Sequence, residues 1–519
     1  MSKPATTMAE FSRKPDSQKR SLMVLTAKDA ATSLITRYFY FSDIAGELSG
    51  IYWHPMIEAI PDMTYNSRAI GGNPSPSWSD AKLRNEDGYD ISHDRTGIYM
   101  EDLGPTWIVQ DQPVLCYFAG DALPLSEYKQ VFGGTCQGVK RADSGPVLDL
   151  SGLENQIKRK TIGSNKITVA AYPNCGTNVG KSKPVAIGTC YNVEPVLVNT
   201  TTYQYMFHEN GSATLGPVYA NGLTLTPAQY TNNLDGTFTL VAAPTGRITC
   251  TVGGLYYTAA GFGSVVSGVL QTWGGILPAQ IDAAAITAAD SALPFQVMAY
   301  VQSETSVFDV VTVLSDGIPA WWGFQKTGIF SMREVIEPSA RPTDWKISSD
   351  VSSEIPVAFL EGSLTVGQAG VPIYRTNANY YKNWSATTQN QLNATLTENQ
   401  KLAFIMRFRK DYYQDLSVLT PYPNAATKEI TINTVGASQA VLAATKWVNL
   451  LKIPRRVVRL TVKAMNLEYE IGDIVEVTYK TELTDGSAWY RHGLNATKLM
   501  ITSIKENYSR AEITLELWG

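Results

Sequence analysis

Short apolar runs broken by Gly, Pro, Asn and Asp set the pattern over residues 21–150, as in Leu22-Met23-Val24-Leu25 and Trp107-Ile108-Val109. Runs of that length with that punctuation predict strands of a barrel or sandwich. Tyr38-Phe39-Tyr40-Phe41-Ser42-Asp43 predicts a strand entering a turn, and Gly71 to Trp78, with Pro74 and Pro76, predicts a loop. Between Val169 and Ala260 the strands shorten and follow one another regularly. Pro184–Gly188, Val193–Val198, Tyr203–His208, Gly216–Tyr219, Thr237–Leu240 and Gly246–Val252 are the candidates, with Asn221-Gly222 and Asp235-Gly236 where hairpins need positive φ.

From about Ser267 the spacing becomes helical, with Val269, Leu270 and Trp273 on one face and an Ala-rich stretch from Ile281 to Ala292. Phe308, Val311, Val313 and Leu314 extend that pattern through 306–320, before the pair Trp321-Trp322. The last third returns to strands, including Val357–Leu360 and Leu402–Phe408. One helix interrupts it: Ser438 is the expected N-cap, Val441, Ala444, Val448 and Leu451 repeat at 3-4-3 spacing, and Pro454 prevents continuation. Val457–Val462, Ile474–Tyr479, Leu499–Ile504 and Ala511–Leu517 then predict four strands of a barrel.

A chain of 519 residues exceeds what one core commonly supports, so several domains are expected. The shifts in pattern place them at 21–150 (β), 151–262 (antiparallel β module), 263–355 (mixed helix and strand) and 356–519 (β with the helix 438–451), after an N-terminal arm of residues 1–20 that is flexible until a partner orders it. The predicted fold class is mainly β with α+β parts: two barrel-like domains, an inserted sandwich-like module and a small mixed domain.

Charged residues make up 17% of the chain, below the usual quarter or so, and 44% is apolar. The surface is therefore largely neutral, a composition suited to faces covered by neighbours. The net charge is −4 and no long block of like charge occurs, which disfavours specific nucleic-acid binding. A mildly acidic channel wall would let DNA slide past. No apolar run reaches bilayer length, so membrane insertion is not expected, and the first twenty residues lack the apolar core of a signal peptide. Synthesis and folding in the cytoplasm follow. N-x-S/T sequons such as those at Asn199 and Asn383 are then chance matches.

Recognition rests on two places. From Ala437 to Gly519 a helix is followed by IPRRVVRLTVK at Ile453–Lys463, YEIGDIVEVTY at Tyr469–Tyr479, and MITSIKENYSRAEITLELWG at Met500–Gly519 as a closing hairpin. This arrangement resembles bacteriophage tail-tip and baseplate-hub proteins. In the middle, KPVAIGTCYNVEPVLV at Lys183–Val198, VYANGLTL at Val218–Leu225 and APTGRIT at Ala243–Thr249 resemble a module of long-tailed phage tail proteins. The Gly472-Asp473 turn marks the fold, with Gly relieving backbone strain and Asp bonding nearby backbone.

The resemblance implies two barrel-like hub domains arranged about an axis in a homotrimer, giving six similar units in a ring that continues the tail tube. It further implies contacts with a tail tube or distal tail protein, a central spike or fibre and the tape-measure protein. It places the chain in the virion, at the tail tip, with a part in DNA ejection. A receptor- or glycan-binding tip module is the alternative, and an envelope-degrading hydrolase a third class.

Catalytic chemistry is sparse. His54, His93, His208 and His492 show no metal-ligand spacing, and no nucleophile elbow, phosphate loop or zinc motif is present. No catalytic, cofactor or metal site is therefore expected. Five cysteines lack a C-x-x-C pair, and Cys116, Cys136, Cys175 and Cys190 are the set from which an iron–sulfur cluster would have to be built. Asp87, Asp90, Glu101 and Asp102 form the densest acidic neighbourhood, read either as a glycosidase dyad or as a solvated hydrogen-bonding loop. Trp321-Trp322 reads as a sugar platform or as core aromatics, and Tyr52, Trp53 and Trp78 as an interface or as the domain's own filling.

Overall fold

The computed structural model describes residues 18–33, 36–66, 73, 75–85, 89–92, 97–143, 145–256, 258, 261–349, 358–359, 363–463, 467–482, 488–510 and 512–519. The chain is mainly β, with 44% strand and 19% helix in several sheets.

The first sheet has eight strands, ordered Thr36–Ser42, Lys19–Asp29, Pro113–Gly120, Lys129–Ala142, Gly145–Gly152, Ala81–Leu83 and Ile57–Ala59, with Trp107–Ile108 beside Lys19–Asp29. Backbone bonds bring the two ends together. Ser42 donates its N–H to the His54 carbonyl at 2.7 Å, His54 donates to Tyr40 at 2.9 Å, and Arg84 donates to Met56 at 2.7 Å. The isolated bridge at Phe41 and His54 thus draws the two ends of the sheet together and curves it into a half-barrel. Along Lys19–Asp29 the neighbours Leu22 and Met23 are both fully buried, although they point to opposite faces. One face lines the half-barrel and the other packs on the rest of the molecule, as Phe118 does against Tyr508 with ring centroids 5.3 Å apart.

The second sheet has nine strands. Its spine is Trp345–Ser348, Ile474–Thr478, Thr497–Asn507, Glu512–Trp518 and Arg455–Lys463, with Ala358–Phe359 and Thr365–Ala369 on the outer edge of the last. Thr497–Asn507 is long enough to serve two neighbours along one edge. Its start pairs with Ile474–Thr478 and its end with Met63–Asn66, which carries Ser75–Trp78 beyond it. The N-terminal and C-terminal parts of the chain therefore share a sheet, and one continuous core runs from Leu22 to Trp518.

The two large sheets are not copies of one topology. In the first, the opening strand Lys19–Asp29 lies beside Pro113–Gly120, the first strand of the following meander; in the second, Arg455–Lys463 lies beside Glu512–Trp518, the last. The six similar units implied by the resemblance lose their basis there.

The middle module is a pair of four-stranded antiparallel sheets around Cys190, Val193, Phe207, Val218, Phe238, Cys250 and Val252. Asn221 and Gly222 take φ of 47° and 81°, the two positive values a tight hairpin turn requires between Tyr219 and Thr224. Helices Phe262–Thr272, Ala283–Ala292 and Val307–Ser315 follow, the last two capped by Asp282 and Ser306.

Four local expectations change. Leu402–Phe408 is not extended: Thr397 and Gln400 form a capping box and Glu398–Ile405 is a helix. The helix begun at Val307 ends at Ser315, because Gly317 at φ 73° turns the chain and Ala320–Phe324 is a strand carrying both tryptophans. Helix Ala437–Leu451 is capped by Gly436 rather than Ser438. Ser75–Trp78 is a strand, in which Pro76 is tolerated because the strand has a single partner; Gly71, Gly72 and Pro74 lie outside the described residues, as do residues 1–17 of the expected arm, while Lys19 already starts a strand.

Candidate functional site

The densest internal chemistry lies where the two large sheets meet. The turn after Ala320–Phe324 carries Lys326, whose carbonyl accepts from Gly133 of the first sheet at 2.9 Å. A Cβ on Gly133 would sit 2.4 Å from the Thr327 carbonyl oxygen, so this approach requires glycine. The Lys326 Nζ turns the other way, 2.9 Å from Glu506 Oε1 of the second sheet, with the two side chains 3% and 0% exposed. Tyr508 donates its hydroxyl to the other Glu506 oxygen at 2.6 Å. Burial pulls the Lys326 ammonium down, but Glu506 and Glu470 outweigh it and its pKa lies above the ordinary lysine value.

Beside this pair, the Gly472-Asp473 turn is tied in place. Gly472 has φ 85°. The Asp473 carboxylate accepts from Arg333 Nη1 at 2.5 Å, from Trp345 Nε1 at 2.9 Å and from its own turn at Glu470 N–H at 3.0 Å. Glu470 lines a small pocket with Tyr65, Trp321, Trp322, Arg333 and Ile471. Burial pushes its carboxyl up to about 7, with Asp473 and Glu506 adding to the shift and Lys326 and Arg333 opposing it. The two fully buried charges Lys326 and Glu506 are paired with each other, so the cluster is built around an ionic joint between sheets.

The candidate residues from sequence disperse. Cys116 and Cys136 lie in the first sheet's core, Cys190 in the middle module, and Cys175 in a separate cluster with Ile167, Val198 and Met206. The four do not converge, and among the described residues no group of three or more His, Cys, Asp or Glu is placed to hold a metal. Burial pushes the Cys136 thiol up to about 11 and the Cys190 thiol up to about 12, away from the thiolate that a cluster needs. His54 and His208 are buried in different cores and His492 sits in a turn, while His93 lies outside the described residues.

Asp90 accepts from the Ser92 N–H at 2.8 Å and hydroxyl at 2.5 Å, and these bonds lower its pKa, opposite to a glycosidase acid. Asp102 accepts from Tyr99 N–H at 2.9 Å, and Glu101 is exposed. Asp87 lies outside the described residues. Trp321 and Trp322 are buried in the core, as is Trp53; Tyr52 meets His54 edge-on at 5.1 Å and Trp78 meets Phe132 at 4.9 Å.

Among the solved structures that align with this chain are two described as tail proteins and one that belongs to a virion particle. The 43 kDa tail protein of prophage MuSo2 from Shewanella oneidensis aligns over 96% of this chain and 98% of its own, at 10% identity and a TM-score of 0.36. A tail protein from Neisseria meningitidis aligns over 96% of each chain at 8% identity and a TM-score of 0.37. A chain of a native gene transfer agent virion aligns over 65% of this chain and 82% of its own, at 11% identity and 0.38. No family model matches the sequence, and no curated protein matches it.

Sequence reasoning marked the Gly472-Asp473 turn as a fold marker and missed the joint around it. Lys326 is an isolated charge in its local sequence, whereas Glu470 stands among Glu468 and Asp473 and Glu506 follows Lys505, so neither carboxylate stands out from its neighbours. A charged residue within the strand run Thr497–Asn507 is the one signal that pointed toward a buried partner.

Proposed function

We propose that this chain is a structural subunit of a bacteriophage tail tip, a baseplate-hub protein. Three copies form a ring that continues the channel of the tail tube and joins it to a central spike or fibre. The observation that carries this reading is the joint. The first sheet and the nine-stranded second sheet are held in one core by Met63–Asn66, which comes from the N-terminal part of the chain and pairs into the second sheet, and by the buried Lys326–Glu506 pair. That construction suits a rigid wedge that must keep its shape under load.

The low charge content fits a surface covered by the tube, the distal tail protein or the tape-measure protein, and virion location at the tail tip follows. The test is the native mass and projection image of the purified chain. A species of three times 56.8 kDa with a central hole is expected. A monomer that binds no virion component ends the proposal.

A further inference from the structure

Ile373–Tyr380, Arg409–Gln414 and Ala426–Thr431 form a three-stranded sheet with Ile373–Tyr380 in the centre, so the other two strands each have an edge that no strand covers, although Gly317 lies against the Thr431 carbonyl at the end of the last. Neither edge strand contains proline, and both are largely exposed. Open edges of this kind are templates for another strand.

The backbone fixes which residues each edge presents. Ala426 and Ile432 donate their N–H groups inward, to Pro372 and Asn379 at 2.8 Å each, so Thr427, Glu429 and Thr431 turn theirs outward. On the opposite edge the Tyr412 N–H takes the Asp411 carboxylate at 2.8 Å instead of a strand, so Lys410, Tyr412 and Gln414 face outward. Arg409–Gln414 runs antiparallel to the central strand and Ala426–Thr431 parallel to it. Continuing the sheet from one copy into the next in the same orientation therefore sets the two edges antiparallel.

Ladder bonds need outward residues opposite outward residues, so the register moves in steps of two. With Lys410 opposite Glu429, Asp411 falls opposite Lys428 and Tyr412 opposite Thr427. Lys410 and Glu429 share the face of Arg375 and Asn377; Asp411 and Lys428 share the other, where Lys428 lies 4.7 Å over Trp447. Both faces thus gain an opposite-charge pair at once. A slip of two residues either way places Asp411 opposite Ala426 or Ile430 and loses both pairs. Lys410, Asp411 and Lys428 have no ion pair within the chain among the described residues. Tyr412 and Leu416, 47% and 58% exposed, stand beside the edge that would be covered.

We propose that copies of this chain join edge to edge, Arg409–Gln414 of one pairing with Ala426–Thr431 of the next in this register. The contact is heterologous, the kind that closes into rings, and it rests on the ring reading above. The full-length double variant Tyr413→Cys, Ala426→Cys tests it. Across the contact the two positions face each other without ladder bonds, about 4.5–5.5 Å apart at Cα. Within one chain they are two strands apart, about 9.5 Å, beyond disulfide reach. The native cysteines are buried and do not compete.

Oxidation is expected to give covalent species up to ring size on a non-reducing gel, and the single variants none. Separately, Lys410→Glu and Glu429→Lys are each expected to raise the concentration at which the ring dissociates by about tenfold, and the charge-swapped double variant to restore it. Rings that form without the cross-link and ignore Lys410→Glu overturn this contact and leave the ring standing. A monomer at every concentration overturns both.

Discussion

Two side chains at the joint make opposite statements about charge. Glu470 is held with its carboxyl pushed up to about 7 by burial, against an ordinary value of 4.5. An acid whose pKa is raised on folding binds more protons folded than unfolded between those values, so its ionisation costs stability as pH rises through that window. Glu470→Gln is therefore expected to flatten the dependence of Tm on pH between 5 and 8 and to be the more stable protein at pH 8. Equal slopes for variant and parent would show that the carboxyl is not held neutral. Lys326 is the reverse case, a buried cation whose charge is required by Glu506. Lys326→Met should destabilise by about 3–5 kcal/mol in urea unfolding, because Glu506 is left buried and unpaired, whereas Lys326→Met with Glu506→Leu should recover most of that loss.

At the scale of elements, the joint depends on one backbone approach. Gly133 lies so close to the Thr327 carbonyl that a methyl group has no room, so Gly133→Ala is expected to cost on the order of 1–3 kcal/mol and to loosen the contact between strand and turn. Amide exchange rising at Gly133 and Glu506 together, with the middle module unchanged, is the result that fits. The middle module was legible in part: five of its expected runs meet strands, helped by punctuation at Asn-Gly and Asp-Gly, whereas Val193–Val198 is divided at Glu194-Pro195 between two sheets and Thr189–Val193, Leu223–Thr224 and Tyr230–Asn232 were missed. The closing strands from Arg455 to Trp518 were equally plain, because alternation survives where one face is covered. Leu402–Phe408 was misread because its apolar residues suit a buried strand, and the capping box at Thr397 and Gln400 outweighs them. Ser75–Trp78 was read as a loop from its prolines, and Met63–Asn66 was beyond reach. A four-residue strand whose partner lies more than 400 positions away leaves no local trace.

For the whole molecule, what sequence could not convey is that the first and last parts of the chain share a core, since non-local pairing depends on the fold rather than on any window of residues. The consequence is mechanical. With Met63–Asn66 completing the C-terminal sheet, the two large sheets are expected to unfold together. Calorimetry should show one transition spanning both, with the middle module, which has its own core around Phe238, free to melt separately. Independent transitions for the two large sheets would contradict the joint and remove the rigid wedge on which the hub proposal stands. A single shared transition whose midpoint rises with protein concentration would tie folding to ring formation, because binding to the native state alone stabilises it by mass action.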